Sequence, residues 1–411
     1  KIYIQQPPVS ASGYSSQAFA PHYAHTERKT ETKTCEDCHL SEANDNNAIM
    51  AQLLLHGTNF MNFIGYNAWV GGDDAVFAVT VTEWDEPQAV IGSYLHRYAY
   101  PERYAAHQMR GGTLEQEYSH GTGDRVGCLQ LRGEYLYVAQ GSRGFEAYDV
   151  ASVANKGFSQ RIISAPVSPL GHNTRVATRN ATCVALPTNQ PIHPDRNQGD
   201  LMRLVNLEQP FHPIYHYALI TDSEEGLILV DVNTLSDGEF RNNFLERALT
   251  WNENGILDGA RHLTVAGSWV YVAADAGLVV LDLSQPLTPK VAATLPLKNV
   301  RGSALQFRYL FVTTDEGLQV VDVTHPARPR MVEGAAVPFK DARRVYLVRT
   351  YAYVAAGAEG LGIVDITNPE QPALYQQYTA DGRITDAWDV KVGATNASLV
   401  AYVADGDAGP K

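Results

Sequence analysis

Cys35, Cys38 and His39 are the residues whose types and spacing most clearly suggest chemistry. They stand in the run Cys35-Glu36-Asp37-Cys38-His39. A C-x-x-C-H pattern is typical of covalent c-type haem attachment. The two thiols add to the vinyl groups of the porphyrin, and the adjacent imidazole binds the iron from one side. The pattern therefore predicts one haem c, bonded to Cys35 and Cys38 with His39 as the proximal iron ligand, and it indicates electron transfer.

Two other uses of these side chains fit the sequence less well. A structural zinc site needs four ligands, commonly from two separated pairs. The box supplies three donors, and no second pair of matching type follows closely. A thioredoxin-like dithiol requires a βαβ context, whereas the flanking residues are polar and irregular. Haem attachment is therefore the favoured interpretation.

The sixth ligand of the iron is less sharply defined by the sequence. His25 precedes Cys35 by ten residues, in a polar stretch where a histidine has no evident packing role. We therefore expect His25 to be the distal ligand, either of this haem or of a neighbouring one. A five-coordinate iron is a further alternative. The other candidate ligands, in falling order, are His56, His22 and then Met50 and Met61, because methionine more often fills a core.

Composition restricts the partners and the compartment. The 411 residues include 32 Lys plus Arg and 45 Asp plus Glu, which gives a net charge of −13. Nucleic acid is therefore an improbable partner, because it requires a clustered basic face. No apolar run is long enough for a transmembrane helix. Since haem c is attached outside the cytoplasm, we expect an exported protein, periplasmic or at the cell surface, and the absent initiator Met suggests a segment of a longer polypeptide.

An internal repeat predicts the fold. Each copy contains a short β-branched strand, a Gly/Asp turn and a second apolar strand that ends in Asp followed by an aliphatic residue. Gly277, Gly317 and Gly360 mark a period of 40 to 43 residues. Four short strands per unit of this length are typical of propeller blades. The copies are Val270–Leu283, Leu310–Val323, Ala352–Ile366, Ala218–Val232, Leu136–Val150, the divergent Ala68–Val81 and the half copy Ala401–Asp405.

These repeats resemble the LVIVD family of β-propeller repeats, as in Leu227-Ile-Leu-Val-Asp231 and Leu278-Val-Val-Leu-Asp282. The resemblance implies an all-β propeller over roughly residues 60 to 405, and it says little about activity. We favour seven blades. In the six-bladed alternative, strands at Ala75–Val81 and Gln88–Ser93 complete the half blade at Asp386–Asp405. The predicted domains are a haem-binding segment over residues 1–56 and the propeller over residues 57–411.

Cys128 and Cys183 each begin the first strand of a predicted blade. If the two blades are neighbours, the thiols could form a disulfide, which an exported compartment permits. Two separately buried thiols are the competing interpretation.

The remaining histidines are scattered, and we interpret them as structural. His120 is the one whose distance to the haem iron would matter. They are His96, His107, His120, His172, His193, His212, His216, His262 and His325.

The stretch from Tyr23 to His39 is similar to the last haem segment of multihaem c-type cytochromes, in which a histidine ahead of the box serves as distal ligand. With the repeats, this resemblance implies an extracytoplasmic electron-transfer protein whose propeller is a scaffold and docking surface. Further haems would lie upstream or in partner chains, because only one box occurs. The implied partners are other haem domains, cytochrome subunits or redox proteins, and a homo-oligomer or filament is possible.

Two alternative functions are compatible with the same features. In one, the propeller is an oxidoreductase that binds substrate at its central channel and passes electrons to the haem. In the other, it is a structural or adhesion module. The fold alone does not discriminate between these two functions. The carboxylates that recur once per repeat are expected to be turn residues rather than catalytic groups; they are Asp222, Asp275, Asp315 and Glu359.

Overall fold

The structure is a computed structural model, and it describes most of the chain from Phe63 onward. The predicted haem segment, residues 1–56, lies outside the described residues. The described residues are 63–64, 67–80, 105, 109, 117–132, 135–151, 153, 162–165, 174–187, 204, 212–235, 240–242, 244–394, 399–406 and 409–410.

The described strands form seven antiparallel sheets, which confirms the predicted all-β fold. Sheet 1 contains β1 (Phe63–Ile64), β2 (Asn67–Gly71), β3 (Ala75–Thr80) and β4 (Glu117–Gly121). Sheet 2 contains β5 (Cys128–Arg132), β6 (Tyr135–Ala139), β7 (Phe145–Asp149), β8 (Ile163–Ala165) and β9 (Arg175–Val176), where β8 and β9 both pair with β7. Sheet 3 contains β10 (Ala181–Ala185), β11 (Tyr217–Asp222), β12 (Gly226–Asp231) and β13 (Glu246–Trp251).

The C-terminal half repeats the same four-stranded unit. Sheet 4 contains β14 (His262–Ala266), β15 (Trp269–Ala274), β16 (Gly277–Asp282) and β17 (Lys290–Leu295). Sheet 5 contains β18 (Gly302–Gln306), β19 (Tyr309–Thr314), β20 (Gly317–Asp322) and β21 (Arg330–Pro338). Sheet 6 contains β22 (Arg344–Val348), β23 (Tyr351–Ala355), β24 (Leu361–Asp365) and β25 (Ala373–Tyr378). Sheet 7 contains β26 (Ala387–Ala394), β27 (Leu399–Asp405) and β28 (Gly409–Pro410).

The strand pair recognised in the sequence repeat is the middle pair of each sheet. In sheet 4, all of β15 after Trp269 and all of β16 before Asp282 are buried. Continuous burial follows because both faces of a middle strand pack against neighbouring sheets. The fourth strands are exposed instead, and every residue of β25 is exposed to solvent. The hydrophobic pattern therefore marks the strands inside the fold and misses those at its outer edge.

The aspartate that ends the third strand of each repeat has a local role. The Oδ1 atoms of Asp282, Asp322 and Asp365 each accept a hydrogen bond of 2.8 Å from the backbone N–H two residues later. This is an Asx turn, which a short carboxylate side chain stabilises. It turns the chain toward the exposed fourth strand.

The core lies between consecutive sheets. Six clusters of buried side chains occupy the spaces from sheets 1 and 2 to sheets 6 and 7. The first strands of neighbouring sheets are also in contact, in the order β5, β10, β14, β18, β22 and β26, and β5 contacts β2 of sheet 1. Among the described residues, none belongs to a helix that is both long and apolar enough to cross a bilayer.

The observed strand pairing differs from the pairing that the six-bladed alternative requires. Ala75–Thr80 pairs with Asn67–Gly71 on one side and Glu117–Gly121 on the other, within sheet 1. The strands of Asp386–Asp405 pair with each other and with Gly409–Pro410, in sheet 7. Gln88–Ser93, the other strand of that alternative, lies outside the described residues.

Candidate functional site

The predicted haem ligands all fall outside the described residues. Cys35, Cys38 and His39 precede Phe63, as do the distal candidates His25, His56 and His22. The set of donor atoms is nevertheless chemically complete for a haem c: two thiols in C-x-x-C spacing and an imidazole directly after the second. The residues fit the group, and their roles stay predictions.

His120 and His212 are described histidines with packing or hydrogen-bonding partners. The ring of His120 meets the ring of Tyr148 edge to face, with centroids 5.2 Å apart. His212 Nε2 is 3.0 Å from the Ser284 carbonyl oxygen, and its Nδ1 accepts a 3.1 Å hydrogen bond from the Ile214 N–H. His212 thereby caps the short 3₁₀ helix Pro213–His216. In the described part of the chain, no three histidine, cysteine or acidic side chains are grouped as a metal site would require.

Each recurring turn carboxylate forms a hydrogen bond or an ion pair with a residue of the loop that leads into its own sheet. Asp222 Oδ2 accepts from the Asn180 N–H at 2.6 Å, and Glu359 Oε2 accepts from the Lys340 N–H at 2.6 Å. Asp315 Oδ2 accepts from Asn299 Nδ2, and Asp275 pairs with Arg261. This arrangement fits the prediction that they are turn residues, because each one fixes a loop rather than pointing at a shared centre.

A continuous polar network lies on the face where these turns and connections meet. Arg343 pairs with Asp341 and with Asp386, each at 2.7 Å. Asp386 Oδ2 also accepts a 2.7 Å hydrogen bond from Trp388 Nε1. We call this set the rim network, and it consists of Arg301, Asp341, Arg343, Asp386, Trp388, Arg125 and Asp73.

Trp388 is the part of the rim network that joins the two ends of the fold. The Arg343 guanidinium carbon lies 4.0 Å from the indole ring centroid, and that of Arg125 lies 4.6 Å from it. Arg125 belongs to the connection between sheets 1 and 2, whereas Trp388 belongs to sheet 7. Two cations against one indole are an attractive arrangement. Trp388 is still 41% exposed, so a partner could reach it.

A recurring arginine in the sequence points to this network, although the spacing of the predicted site residues does not reveal it. Arg261, Arg301 and Arg343 each stand directly before the first strand of a sheet. The backbone N–H of each donates to a carbonyl of the adjacent second strand, at 2.8 to 2.9 Å. An arginine at one fixed position of three consecutive repeats was visible in the sequence. The acidic partners in neighbouring repeats were not visible, because Asp341 follows the repeat of Arg301 and Asp386 follows the repeat of Arg343.

Two carboxylates of the rim network, Asp341 and Asp386, are held in their ionised form. Burial acts against ionisation of Asp341, but hydrogen bonds from Arg343 and Arg301 outweigh it and lower the pKa of that carboxyl. The hydrogen bond from Arg343, followed by that from Trp388, lowers the pKa of Asp386. Both groups therefore stabilise the fold above the pKa of an unfolded aspartate, about 4, and lose that contribution as the pH falls through their lower folded values.

Replacing Arg343 with glutamine should weaken this part of the fold. We expect the free energy of unfolding to fall by about 2 kcal/mol at pH 7, since two charge-assisted hydrogen bonds are lost. The decrease in stability below about pH 4 should also become shallower than in the natural protein. Urea unfolding at both pH values measures these effects. Arg330→Gln is the control, because its 3.6 Å pair with Asp322 is exposed and should contribute less than about 1 kcal/mol; equal effects of the two variants would contradict the prediction.

Cys128 and Cys183 form a disulfide in the structure. Their Cα atoms are 4.6 Å apart although 55 residues separate them in the sequence. The bond joins β5 to β10, which are the inner strands of neighbouring sheets 2 and 3. Of the two interpretations open at the sequence level, the structure therefore contains the bonded one.

Removal of this disulfide should destabilise the fold measurably. For Cys128→Ala with Cys183→Ala, we expect a loss of about 3 kcal/mol, mostly from the added freedom of the unfolded chain. Reductant should destabilise the natural protein to the same degree and leave the double variant unchanged. Chemical unfolding with and without reductant measures both. A thiol reagent that labels Cys128 and Cys183 in the denatured, unreduced protein would show that the bond is absent.

Three segments of the chain match the LVIVD repeat family: residues 259–294, 304–335 and 340–380. They coincide with sheets 4, 5 and 6, so LVIVD repeats are present in this part of the predicted propeller. The other predicted copies lie outside the matched segments. No curated protein matches the sequence.

The solved structures that resemble this one have low sequence identity to it. Sqt1 of Chaetomium thermophilum is 12% identical, with a TM-score of 0.49, and the match covers 84% of this chain and 78% of that one. The β-propeller domain of Cps50 (Swd1) from Myceliophteria thermophila is 11% identical, with a TM-score of 0.46 and coverage of 86% and 97%. A functionally unknown protein from Desulfotomaculum acetoxidans is 10% identical, with a TM-score of 0.46 and coverage of 77% and 82%.

Proposed function

We propose that this chain is a c-type cytochrome that transfers electrons outside the cytoplasm. The observation that carries the proposal is the box Cys35-Glu36-Asp37-Cys38-His39. When bound there, the haem supplies a centre that gains and loses one electron at a time. Cys35 and Cys38 fix it covalently, so the cofactor cannot leave in either redox state. His39 holds the iron from the proximal side.

The distal ligand is assigned to His25, with His56 and His22 as alternatives. A second imidazole would keep the iron six-coordinate and low-spin in both redox states, which limits the rearrangement that accompanies electron transfer. The proposal also allows His25 to bind the iron of an adjoining haem, either in the same polypeptide or in a partner chain.

Export is supported by cysteine chemistry in the described part of the chain. The bond between Cys128 and Cys183 belongs to an oxidising compartment, because cytosolic reductants keep most thiols reduced. Covalent haem attachment and a structural disulfide thus favour the same location, periplasmic or at the cell surface.

The propeller is assigned the role of scaffold and docking surface. Its sheets bury one core cluster between each pair of neighbours, which makes a rigid platform. A rigid platform limits the reorganisation needed when a redox partner docks. The net charge of −13 favours a partner with a basic contact surface, since opposite charges accelerate encounter.

The test is the intact mass and the absorption spectrum of the natural protein. We expect a mass that exceeds the polypeptide by a whole number of haems, and an alkaline pyridine spectrum of the c type. Reduction should be reversible and should give low-spin bands. A natural protein whose mass contains no haem, or whose Cys35 and Cys38 bind zinc, would refute the proposal.

A further inference from the structure

The inner strands of sheets 4, 5 and 6 begin with three residues in equivalent positions. His262, Gly302 and Arg344 each pair with the fifth residue of the adjacent second strand, which are Ala273, Thr313 and Ala355. The three positions therefore lie at the same level of the three inner strands. Two carry nitrogen-containing side chains, and the position between them has no side chain.

The glycine leaves space that Arg344 occupies. A Cβ atom at Gly302 would lie 2.8 Å from the Arg343 carbonyl oxygen, 3.1 Å from Thr313 Oγ1 and 3.3 Å from Arg344 Cδ, all tighter than ordinary contacts. Arg344 Nη1 reaches past this point and donates a hydrogen bond to the carbonyl oxygen of Arg301. The guanidinium group of Arg344, a residue of sheet 6, therefore extends over the inner strand of sheet 5 toward sheet 4.

His262 lies on the sheet 4 strand that this guanidinium approaches. Alternate residues of a strand share a face, and Thr264 on the face of His262 is 2.8 Å from Ser303 of sheet 5, between their Oγ atoms. The Nδ1 atom of His262 is shielded from solvent and has no hydrogen-bond partner. Burial, followed by the charges of Arg344 and Lys391, keeps the pKa of His262 well below its ordinary value, so the imidazole is neutral.

Lys391 of sheet 7 adds a second cation to this group. Its Nζ lies 3.2 and 3.3 Å from the carboxylate oxygens of Asp389, and 5.3 Å from the ring centroid of Tyr346. Asp389 is also the carboxylate whose charge acts on Arg344. Two cations therefore share one carboxylate beside a neutral imidazole, which leaves an excess of positive charge in a strongly acidic protein.

We propose that His262, Arg344 and Lys391 form a binding site for a small oxyanion, a carboxylate or a phosphate, beside the inner strands of sheets 4, 6 and 7. An oxyanion would supply the missing counter-charge and accept hydrogen bonds from Arg344 and Lys391, and a protonated oxygen or the Nδ1–H tautomer of His262 would satisfy the shielded nitrogen. The site is independent of the haem, because none of its residues belongs to the box.

Calorimetric titration of the full chain tests the proposal. Inorganic phosphate, succinate and acetate are titrated separately at constant ionic strength, with chloride as reference. We expect one oxyanion to bind with a single-site isotherm and to raise the melting temperature. The comparison of phosphate with the two carboxylates identifies the class of ligand.

Charge-neutralising variants locate the site. Arg344→Gln and Lys391→Gln should each weaken binding about tenfold or more, the effect of losing one charge-assisted hydrogen bond. Arg330→Gln, which removes an exposed positive charge from β21, should bind as the natural protein does. If Arg344→Gln does not fold, the oxyanion affinity of Lys391→Gln decides whether the proposal holds. The proposal fails if none of the three oxyanions binds more tightly than chloride, or if Lys391→Gln binds with unchanged affinity.

Discussion

Replacing Cys35 and Cys38 with serine together should abolish covalent haem attachment. Serine hydroxyls do not form the thioether bonds, so haem should be extracted by acidified organic solvent or absent from the purified protein. The pyridine spectrum and the mass of the denatured chain measure this directly. The matched control replaces Cys128 and Cys183 with serine, which removes as many thiols and should retain the haem.

Single histidine variants should then separate the two axial positions. His39→Ala is expected to alter the spectrum most, because it removes the proposed proximal ligand. Among His25→Ala, His56→Ala and His22→Ala, only the true distal position should convert a low-spin spectrum to a high-spin one. If all three variants stay low-spin, the distal ligand is another residue, and the assignment to His25 is wrong. Haem that persists in the Cys35→Ser, Cys38→Ser protein would refute the attachment site itself.

The second large effect is expected from Gly317→Ala in sheet 5. Gly317 has a φ of 126°, a conformation that side chains rarely adopt. A Cβ atom there would also overlap the carbonyl oxygen of Val337 and the backbone nitrogen of Phe339. We expect the free energy of unfolding to fall by roughly 4 kcal/mol, about half from the backbone strain and about half from the overlap with backbone that no rotamer relieves.

Gly334→Ala is the matched control for this prediction. Gly334 is also in sheet 5 and has a φ of 75°, but no atom lies within 4 Å of the position that a Cβ atom would take there. It should therefore show only the cost of the left-handed backbone, about 1–2 kcal/mol. Urea unfolding of both variants measures the difference. Equal destabilisation would mean that close approach of the backbone is not what requires glycine at residue 317.

The repeat made the centre of each sheet predictable from sequence. Val270–Leu283 and Leu310–Val323 were recognised because burial on both faces selects apolar residues without interruption. The fourth strand carried no such signal, since β25 is exposed along its whole length. Sheet 2 is also irregular, because both β8 and β9 pair with β7. Such pairing depends on local loop geometry that hydrophobic periodicity does not encode.

Contacts between repeats were the least predictable part of the candidate sites. Arg125 and Trp388 are far apart in the sequence and meet only because the sheets follow a circular course. The hydrogen bond from Arg344 Nη1 to the Arg301 carbonyl oxygen likewise joins residues that are 43 positions apart. The haem box, by contrast, is local chemistry within five residues, so sequence alone sufficed to propose it.

The contact of Arg125 with Trp388 has a mechanical consequence. Among the described strands, those of sheet 7 all come from the C-terminal end of the chain, and the side chains of Trp388 and Arg125 join this sheet to the connection between sheets 1 and 2. We therefore expect the circle of sheets to open first at this contact, which we call the seam. Amide protons of β26 should exchange with deuterium before those of β15 and β19, and a partner that clamps the seam would slow the exchange of the whole ring.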